Sequence, residues 1–143
     1  MFLPILGFAS FITVSAQAQD VKASQVPEAA KTSCMKKFPE ASKISWEIEN
    51  GNYEANWGGK SGEDNSAQFT PAGAFVELEV AIPVSSLPSP VFQYCKSHKN
   101  YGAIKEAGKI TDASGKITYE AEVKAGDLIF NEQGNFVRLN TGD

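Results

Sequence analysis

Cys95 and His98 are the residues of this chain whose types and spacing come nearest to a nucleophilic site. Three positions apart on a helix, a histidine can lie beside a cysteine and promote its thiolate form. Cys95, however, falls on the apolar stripe of its predicted helix, which favours a buried thiol acting as a small hydrophobic side chain. We therefore expect no catalytic residues and a protein that is not an enzyme.

Acidic residues form a second and larger group, and they follow the two-residue period of β-strands. Alternation predicts one sheet face that carries Glu47, Glu49, Glu54, Glu77, Glu79, Glu120 and Glu122. The simpler interpretation is a solvated face that keeps the domain soluble. The alternative is a docking surface for a basic protein or a cationic ligand, because clustered like charge speeds association with an opposite surface. The predicted binding residues are, on this face, Glu47, Glu54, Glu77, Glu120 and Glu122 and, in the loop 58–65, Lys60, Glu63 and Asp64.

The rest of the sequence argues against several other kinds of site. Phosphate-binding glycine loops and nucleophile elbows are not found, and one histidine with two cysteines is too few for a zinc centre. No loop has the spacing of Asp, Asn and Gly that calcium requires. A net charge of −4 with scattered signs gives no basic stripe for nucleic acid and disfavours anionic lipid. We expect no cofactor and no metal.

The elements that would position these residues are predicted from two periods in the sequence, one typical of helices and one typical of strands. Apolar residues recur every four positions from Val26 and predict a helix over 27–37, and a second helix begins at Pro88. Alternation then predicts strands on both sides of the turn 50–52, and again from 104 to 139. By strand alternation, Phe75 and Phe136 point away from the core face. They are either exposed apolar anchors or caps of the turns before them. Aromatic residues with core parity are Trp46, Tyr53, Trp57, Phe69, Tyr119 and Phe130.

A repeat organises these elements. The segment 69–78 recurs as 130–139, with Phe, Gly, Phe, Val and Leu at matching positions. Self-similarity on this scale indicates two copies of one structural unit. We predict an α+β fold made by tandem duplication, in which each copy is one helix followed by about four antiparallel strands. The copies, 26–82 and 87–143 with a linker at 83–86, would form one eight-stranded twisted sheet with two helices on one face.

The repeat places Cys34 and Cys95 at equivalent positions, which leaves two alternatives. In an oxidising compartment the two residues could form a disulfide, provided that both lie near the axis that relates the copies. Alternatively, each is a thiol buried under its own helix. The choice depends on the Cα separation, so both alternatives stay open at this point.

The first 18 residues are predicted to be an export signal. Residues 1–14 are almost wholly apolar, and Ala16 and Ala18 are the small residues that a cleavage site needs, which places the cut after Ala18. Gln19 follows the cut in place of Cys, so we expect no lipid anchor. The apolar run is too short to span a bilayer. We expect a periplasmic or secreted protein with a flexible leader over 19–25.

The chain resembles the PepSY-like family of small exported bacterial proteins, whose fold is similar to that of the β-lactamase inhibitor protein. The motifs that carry this resemblance are Val26-Pro27, 38–41, Trp46-Glu47, 51–55 and 69–73, and in the second copy Leu87-Pro88, Tyr119-Glu120 and 130–134. The resemblance implies a non-enzymatic binding or inhibitory module and carries over no catalytic residues. The implied partner is a protein, such as an exported enzyme or an envelope protein. The alternative is a periplasmic protein that binds a small ligand or a cation.

Overall fold

The computed structural model describes residues 18–141, so the predicted signal peptide lies outside the described residues except for Ala18. Within this range there are two α-helices, α1 at Glu28–Lys37 and α2 at Ser89–Ser97. The strands are β1 Gln19–Val21, β2 Ser45–Glu49, β3 Asn52–Trp57, β4 Asn65–Phe69, β5 Phe75–Ile82, β6 Glu106–Asp112, β7 Ile117–Val123, β8 Gly126–Asn131 and β9 Phe136–Asn140. Short 3₁₀ turns precede the helices at Ala23–Gln25 and Val84–Ser86, and a third follows α2 at Lys99–Tyr101.

The nine strands form one antiparallel sheet in chain order, from β1 to β9. The predicted count of eight strands is therefore wrong, because residues 19–21 form an edge strand where we expected a flexible leader. β1 pairs with β2 and places Val21 opposite Trp46. Val21 packs against the core at this point, and burying its side chain stabilises a strand that is too short to persist alone. The tandem duplication stays an interpretation of the sequence.

Proline sets the start of both helices. Pro27 and Pro88 occupy the N-cap positions, where a missing N–H removes no helical hydrogen bond. At the other end of α1, Phe38 donates its backbone N–H to the carbonyl oxygen of Cys34 at 2.8 Å. Pro39 follows directly and cannot continue the helix. The two helices are short, with 10 residues in α1 and 9 in α2.

Both helices pack on the same face of the sheet, each over its own cluster of buried side chains. The register keeps the clusters on one face, since Ala67 lies opposite Leu78 and Ala107 lies opposite Ala121. The cluster under α1 contains Val26, Ala30, Cys34, Trp46, Trp57 and Phe69, and the cluster under α2 contains Leu87, Val91, Val123, Leu128 and Phe130. The predicted core aromatics are confirmed, with Tyr53 and Tyr119 partly buried against these clusters.

Cys34 and Cys95 are free thiols. Cys34 is buried in the first cluster, and Cys95 packs half-buried against the second. Burial raises the pKa of the Cys34 thiol to about 11, and the charge of Glu40 adds to the shift. Burial also raises the pKa of Cys95. The structure therefore corresponds to the second alternative, in which the cysteines are separate thiols and each packs against the cluster under its own helix.

Phe75 and Phe136 occupy matching positions in the repeat but have different surroundings. The Phe75 ring packs 6.1 Å from the ring of Phe38, and the Lys37 ammonium lies 4.3 Å from its centroid. Phe75 is thus a half-buried neighbour of the first cluster. Phe136 stacks on Tyr94 with the ring centroids 4.5 Å apart and remains 37% exposed. The alternative of an exposed apolar anchor therefore applies to Phe136 alone.

Candidate functional site

The sheet face opposite the helices carries many carboxyl groups. Residues directly opposite each other on antiparallel strands share a face, so Glu47 shares it with Glu54, and Glu122 with Asp127. We call this surface the acidic face; it is formed by Asp20, Glu47, Glu49, Glu54, Glu77, Glu79, Glu106, Glu120, Glu122 and Asp127. All of the predicted binding residues that lie in strands are brought together on it.

The acidic face is much less open than predicted. Glu54 and Glu79 are each 1% exposed, and the apolar Ile129 on the same face is also 1% exposed. The cause is curvature of the sheet, which brings side chains of non-adjacent strands together. Glu79 on β5, for example, interacts electrostatically with Asp127 on β8, three strands away. The expectation of an open acidic surface is wrong for the centre of the face, whereas Glu47 and Glu77 nearer its rim are half-buried.

Glu79 lies at the centre of the acidic face, and neither of its carboxyl oxygens has a hydrogen-bond partner among the described residues. Its neighbours on the adjoining strands are Ser66 and Ile110. Burial raises the pKa of Glu79 well above its usual range, and the charges of Glu120 and Glu54 raise it further. An ionised carboxylate without partners is very costly in a low-dielectric environment. Its position therefore favours the protonated form of Glu79.

Glu47 and Glu54 form a directly opposed pair of carboxyl groups. Burial raises the pKa of Glu54, and the charges of Glu47 and Glu49 raise it further. The position therefore favours the protonated form of Glu54. Two amides complete the arrangement: Asn56 Nδ2 donates to Glu47 Oε2 at 3.2 Å, and Gln68 Nε2 donates to Glu54 Oε2 at 3.4 Å.

A second opposed pair, Glu106 with Glu122, lies on β6 and β7. Burial raises the pKa of Glu122 to about 7, and the charges of Glu106 and Asp127 add to the shift. Near the first pair, burial raises the pKa of Glu49 to about 8, with neighbouring carboxylates adding to the shift. The acidic face therefore carries less negative charge at neutral pH than its composition indicates.

The loop 58–64 joins β3 to β4 and contains the remaining predicted binding residues. Lys60 and Asp64 are exposed, and Glu63 is half-buried. Burial raises the pKa of Glu63, and the charge of Glu47 adds to the shift. Glu63 thus lies within electrostatic reach of the acidic face.

Three carboxyl groups of this surface, those of Asp127, Glu106 and Asp20, are not among the predicted binding residues. Asp127 is 4% exposed and lies opposite Glu122, because β8 begins at Gly126, two residues earlier than the apolar residues from Leu128 onward indicate. The sequence repeat could have identified Asp127, because it aligns Asp127 with Ser66 of β4. Asp20 was missed because its segment was expected to be a loose leader.

The described residues form neither a metal centre nor a catalytic dyad. In the range 18–141 no group of three or more His, Cys, Asp and Glu side chains could hold a metal ion. His98 Nδ1 lies 2.7 Å from the carbonyl oxygen of Tyr94, and the two rings stack at 4.0 Å. The raised pKa of Cys95 is the opposite of what a nucleophilic thiol requires.

A sheet of this kind, with helices on one face, is also found in a known protein family. The family model described as beta-lactamase-inhibitor-like, PepSY-like matches residues 9–58 and 56–138. The chain belongs to the PepSY-like family. The resemblance drawn from the sequence motifs is thereby confirmed, and with it the expectation of an α+β fold similar to that of the β-lactamase inhibitor protein.

Among solved structures with the fold of this PepSY-like chain are three from Bacteroides. A protein from Bacteroides eggerthii described as periplasmic has a TM-score of 0.68 and 19% identity, with 79% of this chain and 86% of that chain covered. A DUF2874 family protein from Bacteroides uniformis has a TM-score of 0.66 and 17% identity, with 78% and 86% covered. A BLIP-like protein from Bacteroides fragilis has a TM-score of 0.61 and 21% identity, with 81% and 88% covered.

At identities this low, the solved structures show the fold of the PepSY-like chain and no specific ligand. A search of curated proteins gives no match. No helix in the range 18–141 is long and apolar enough to cross a membrane.

Proposed function

We propose that this PepSY-like protein is an exported, non-enzymatic binding or inhibitory module that engages a basic protein surface through the acidic face. The observation that carries the proposal is the acidic face itself, a concave surface that neither helix covers. Its carboxyl groups greatly outnumber the cations near them. The predicted signal peptide supports export, and the periplasmic description of the Bacteroides eggerthii structure is consistent with it.

Basic side chains of a partner would first meet the rim of the face. Glu47 and Glu77 are half-buried there, and Glu106 is exposed. Arg138 is a cation of the chain that acts on this rim: burial raises the pKa of Glu77, whereas the charge of Arg138 lowers it. A partner that brings further cations would act in the same direction as Arg138. Its binding would favour the ionised form of the carboxyl groups and release protons.

Charge reversal at the rim tests the proposal. We would compare the wild type with Glu47→Lys plus Glu77→Lys in affinity capture from envelope extract, and then measure each captured protein by calorimetry in purified form. The control is Glu40→Lys plus Glu132→Lys, which changes the net charge equally at exposed positions outside the acidic face. We expect the rim variant to lose its partner and the control to keep it, with wild-type affinity that falls as salt is added.

Retained capture by the folded rim variant would refute the acidic face as the docking surface. Loss of capture by both double variants would show that net charge alone governs binding. Circular dichroism must show native folding for both proteins, and lysine at half-buried positions can extend its ammonium group to solvent. The comparison therefore separates the position of the charges from their number.

Cation binding by the same face is a second candidate, favoured by one observation. Oxygens of Glu54 and Glu79 are buried in the face without a hydrogen-bond partner among the described residues. Hard cations bind the ionised carboxylate, so a cation at this position would have to displace the protons that burial favours on these groups. A cation that binds only the folded chain raises its melting temperature. Titration with Ca²⁺ and Mg²⁺ therefore tests this candidate, and an unchanged melting temperature at millimolar cation would refute it.

A further inference from the structure

A cavity of about 320 Å³ opens where the loop 58–64 meets the 3₁₀ turn before α2 and the start of β6. Its volume is at the lower end of small-ligand sites, which measure roughly 300–1,000 Å³. Three carboxylates, Glu63, Asp64 and Glu106, line it together with one ammonium group, that of Lys105. The Lys105 charge also acts on the acidic face, where it lowers the pKa of Glu122 against the larger effect of burial. The lining therefore has an excess of acidic groups.

One wall of the cavity is aliphatic. It is formed by Ile82 at the end of β5 and by Pro83 and Val84 after it. Ile82 and Val84 also pack against the core cluster under α2, which fixes the position of this wall. An aliphatic wall beside carboxylates matches a ligand with an apolar stem and a cationic end, as in the side chain of lysine.

Glu63 supplies the acidic end of the cavity. Its Oε2 atom is buried and has no hydrogen-bond partner among the described residues. Burial raises the pKa of Glu63, and the charges of Glu47, Asp20 and Glu106 raise it further. These carboxylates belong to three different strands, so their fields converge on one point. A cation placed there would supply the missing partner and offset the repulsion between the carboxylates.

The loop that carries Glu63 is held in place by hydrogen bonds. The Asp64 N–H donates to the Gly58 carbonyl oxygen at 3.2 Å, and the Asp64 carbonyl oxygen accepts from the Ala81 N–H at 2.9 Å. The Glu63 N–H donates to Ser61 Oγ at 3.2 Å. The bond from Ala81 attaches the loop to β5, and the other two hold the loop's own shape. The cavity is therefore formed before any ligand arrives, which lowers the entropic cost of binding.

We infer that this cavity binds an aliphatic ammonium group, supplied by a lysine side chain of the protein partner. The inference rests on the proposed function, because it names the partner residue that the acidic site selects. The lysine stem would lie along Ile82 and Val84, and its ammonium group would lie between Glu63 and Glu106. A compact ammonium group can face carboxylates from several directions, whereas the planar guanidinium of arginine prefers a single coplanar carboxylate.

Nitrogen-15 NMR with n-pentylammonium, a mimic of the lysine side chain, tests this inference. Its neutral analogue n-pentanol has a similar length but no charge. We expect saturable shifts at the amides of Glu63, Val84 and Ala107, with affinity at least about 10-fold higher for the ammonium than for the alcohol. Glu63→Gln should weaken ammonium binding by about 5- to 10-fold. The exposed Glu132→Gln should leave it unchanged.

Equal affinity for the alcohol, shifts confined to other amides, or no effect of Glu63→Gln would overturn the inference. The partner itself separates this result from the proposed function. Capture that is lost with Glu47→Lys plus Glu77→Lys but unaffected by Glu63→Gln would refute the lysine cavity and leave the acidic face as the docking surface. Capture that is lost with Glu63→Gln but unaffected by the rim variant would support the cavity and refute the broader face.

Discussion

Replacing Glu79 by glutamine should stabilise the protein at neutral pH, although it alters a completely buried position. Glu79 is 1% exposed, and both of its carboxyl oxygens lack hydrogen-bond partners among the described residues. Burial and surrounding carboxylates raise its pKa well above the ordinary value of 4.5. The native chain must therefore hold a proton on this group at a pH where the unfolded chain has released it.

The magnitude follows from this difference in bound protons. Because the folded chain holds the extra proton, its free energy of unfolding falls as the pH rises, by about 1.4 kcal/mol per pH unit for one group. The fall begins near the unfolded pKa of 4.5 and continues until the native carboxyl group ionises at its raised pKa. Glutamine has nearly the same shape and no such proton, so Glu79→Gln avoids the loss.

We expect the free energy of unfolding of Glu79→Gln to exceed that of the wild type at pH 7, by about 1.4 kcal/mol for each pH unit above 4.5 over which native Glu79 keeps its proton. At pH 4 the two proteins should differ little. Urea denaturation at both pH values measures the two free energies of unfolding. Each 1 kcal/mol of gain should raise the melting temperature by about 4 °C. The matched control is Glu132→Gln, an exposed carboxylate in the turn between β8 and β9.

A gain of the same size at both pH values would refute the role of the proton, because it would reflect packing or amide hydrogen bonding alone. Destabilisation at pH 7 with no change at pH 4 would refute it more directly. That result would mean that Glu79 is ionised in the native state and interacts favourably with a cation there.

Two further predictions concern the helix side of the molecule. In urea denaturation, Gly73→Ala should lower the free energy of unfolding by about 1–3 kcal/mol more than Gly115→Ala does. Both residues have positive φ, of 89° and 88°. A Cβ at Gly73 would lie 2.6 Å from the Ala29 carbonyl oxygen, whereas one at Gly115 would meet nothing within 4 Å. Equal costs would show that the turn does not contact α1. In the folded protein at pH 8, Ellman's reagent should modify half-buried Cys95 faster than buried Cys34, whose pKa is about 11. Absence of reactive thiol after unfolding would contradict the free cysteines.

Side-chain alternation allowed the helix-facing core to be predicted, because it is a local property of each strand. Trp46 and Trp57 have the parity of the buried face in the sequence, and both pack under α1. The helix boundaries were predictable for a similar reason, since Pro27 and Pro39 act on the backbone next to them. Such signals depend on a few neighbouring residues and require no knowledge of the sheet as a whole.

Burial of the acidic face could not be predicted in this way, because it depends on how strongly the whole sheet curves. Alternation assigned Glu54 and Glu120 to the correct face, but a residue on a flat sheet would be exposed there. β1 was missed because three residues form a strand only when a neighbouring strand provides the hydrogen bonds. Both errors concern interactions between segments that are distant in the chain.

Stability and binding should respond to pH in opposite directions if the acidic face is a docking surface. The pKa values of about 7 for Glu122 and about 8 for Glu49 mean that both groups ionise as the pH rises through this range. The free energy of unfolding then falls, because the unfolded chain has already released these protons. The affinity for a basic partner rises over the same pH interval, because each ionisation adds a negative charge that the partner can neutralise. A face that served only for solubility would show the first effect without the second, so affinity for a basic partner between pH 6 and pH 8 distinguishes the two interpretations.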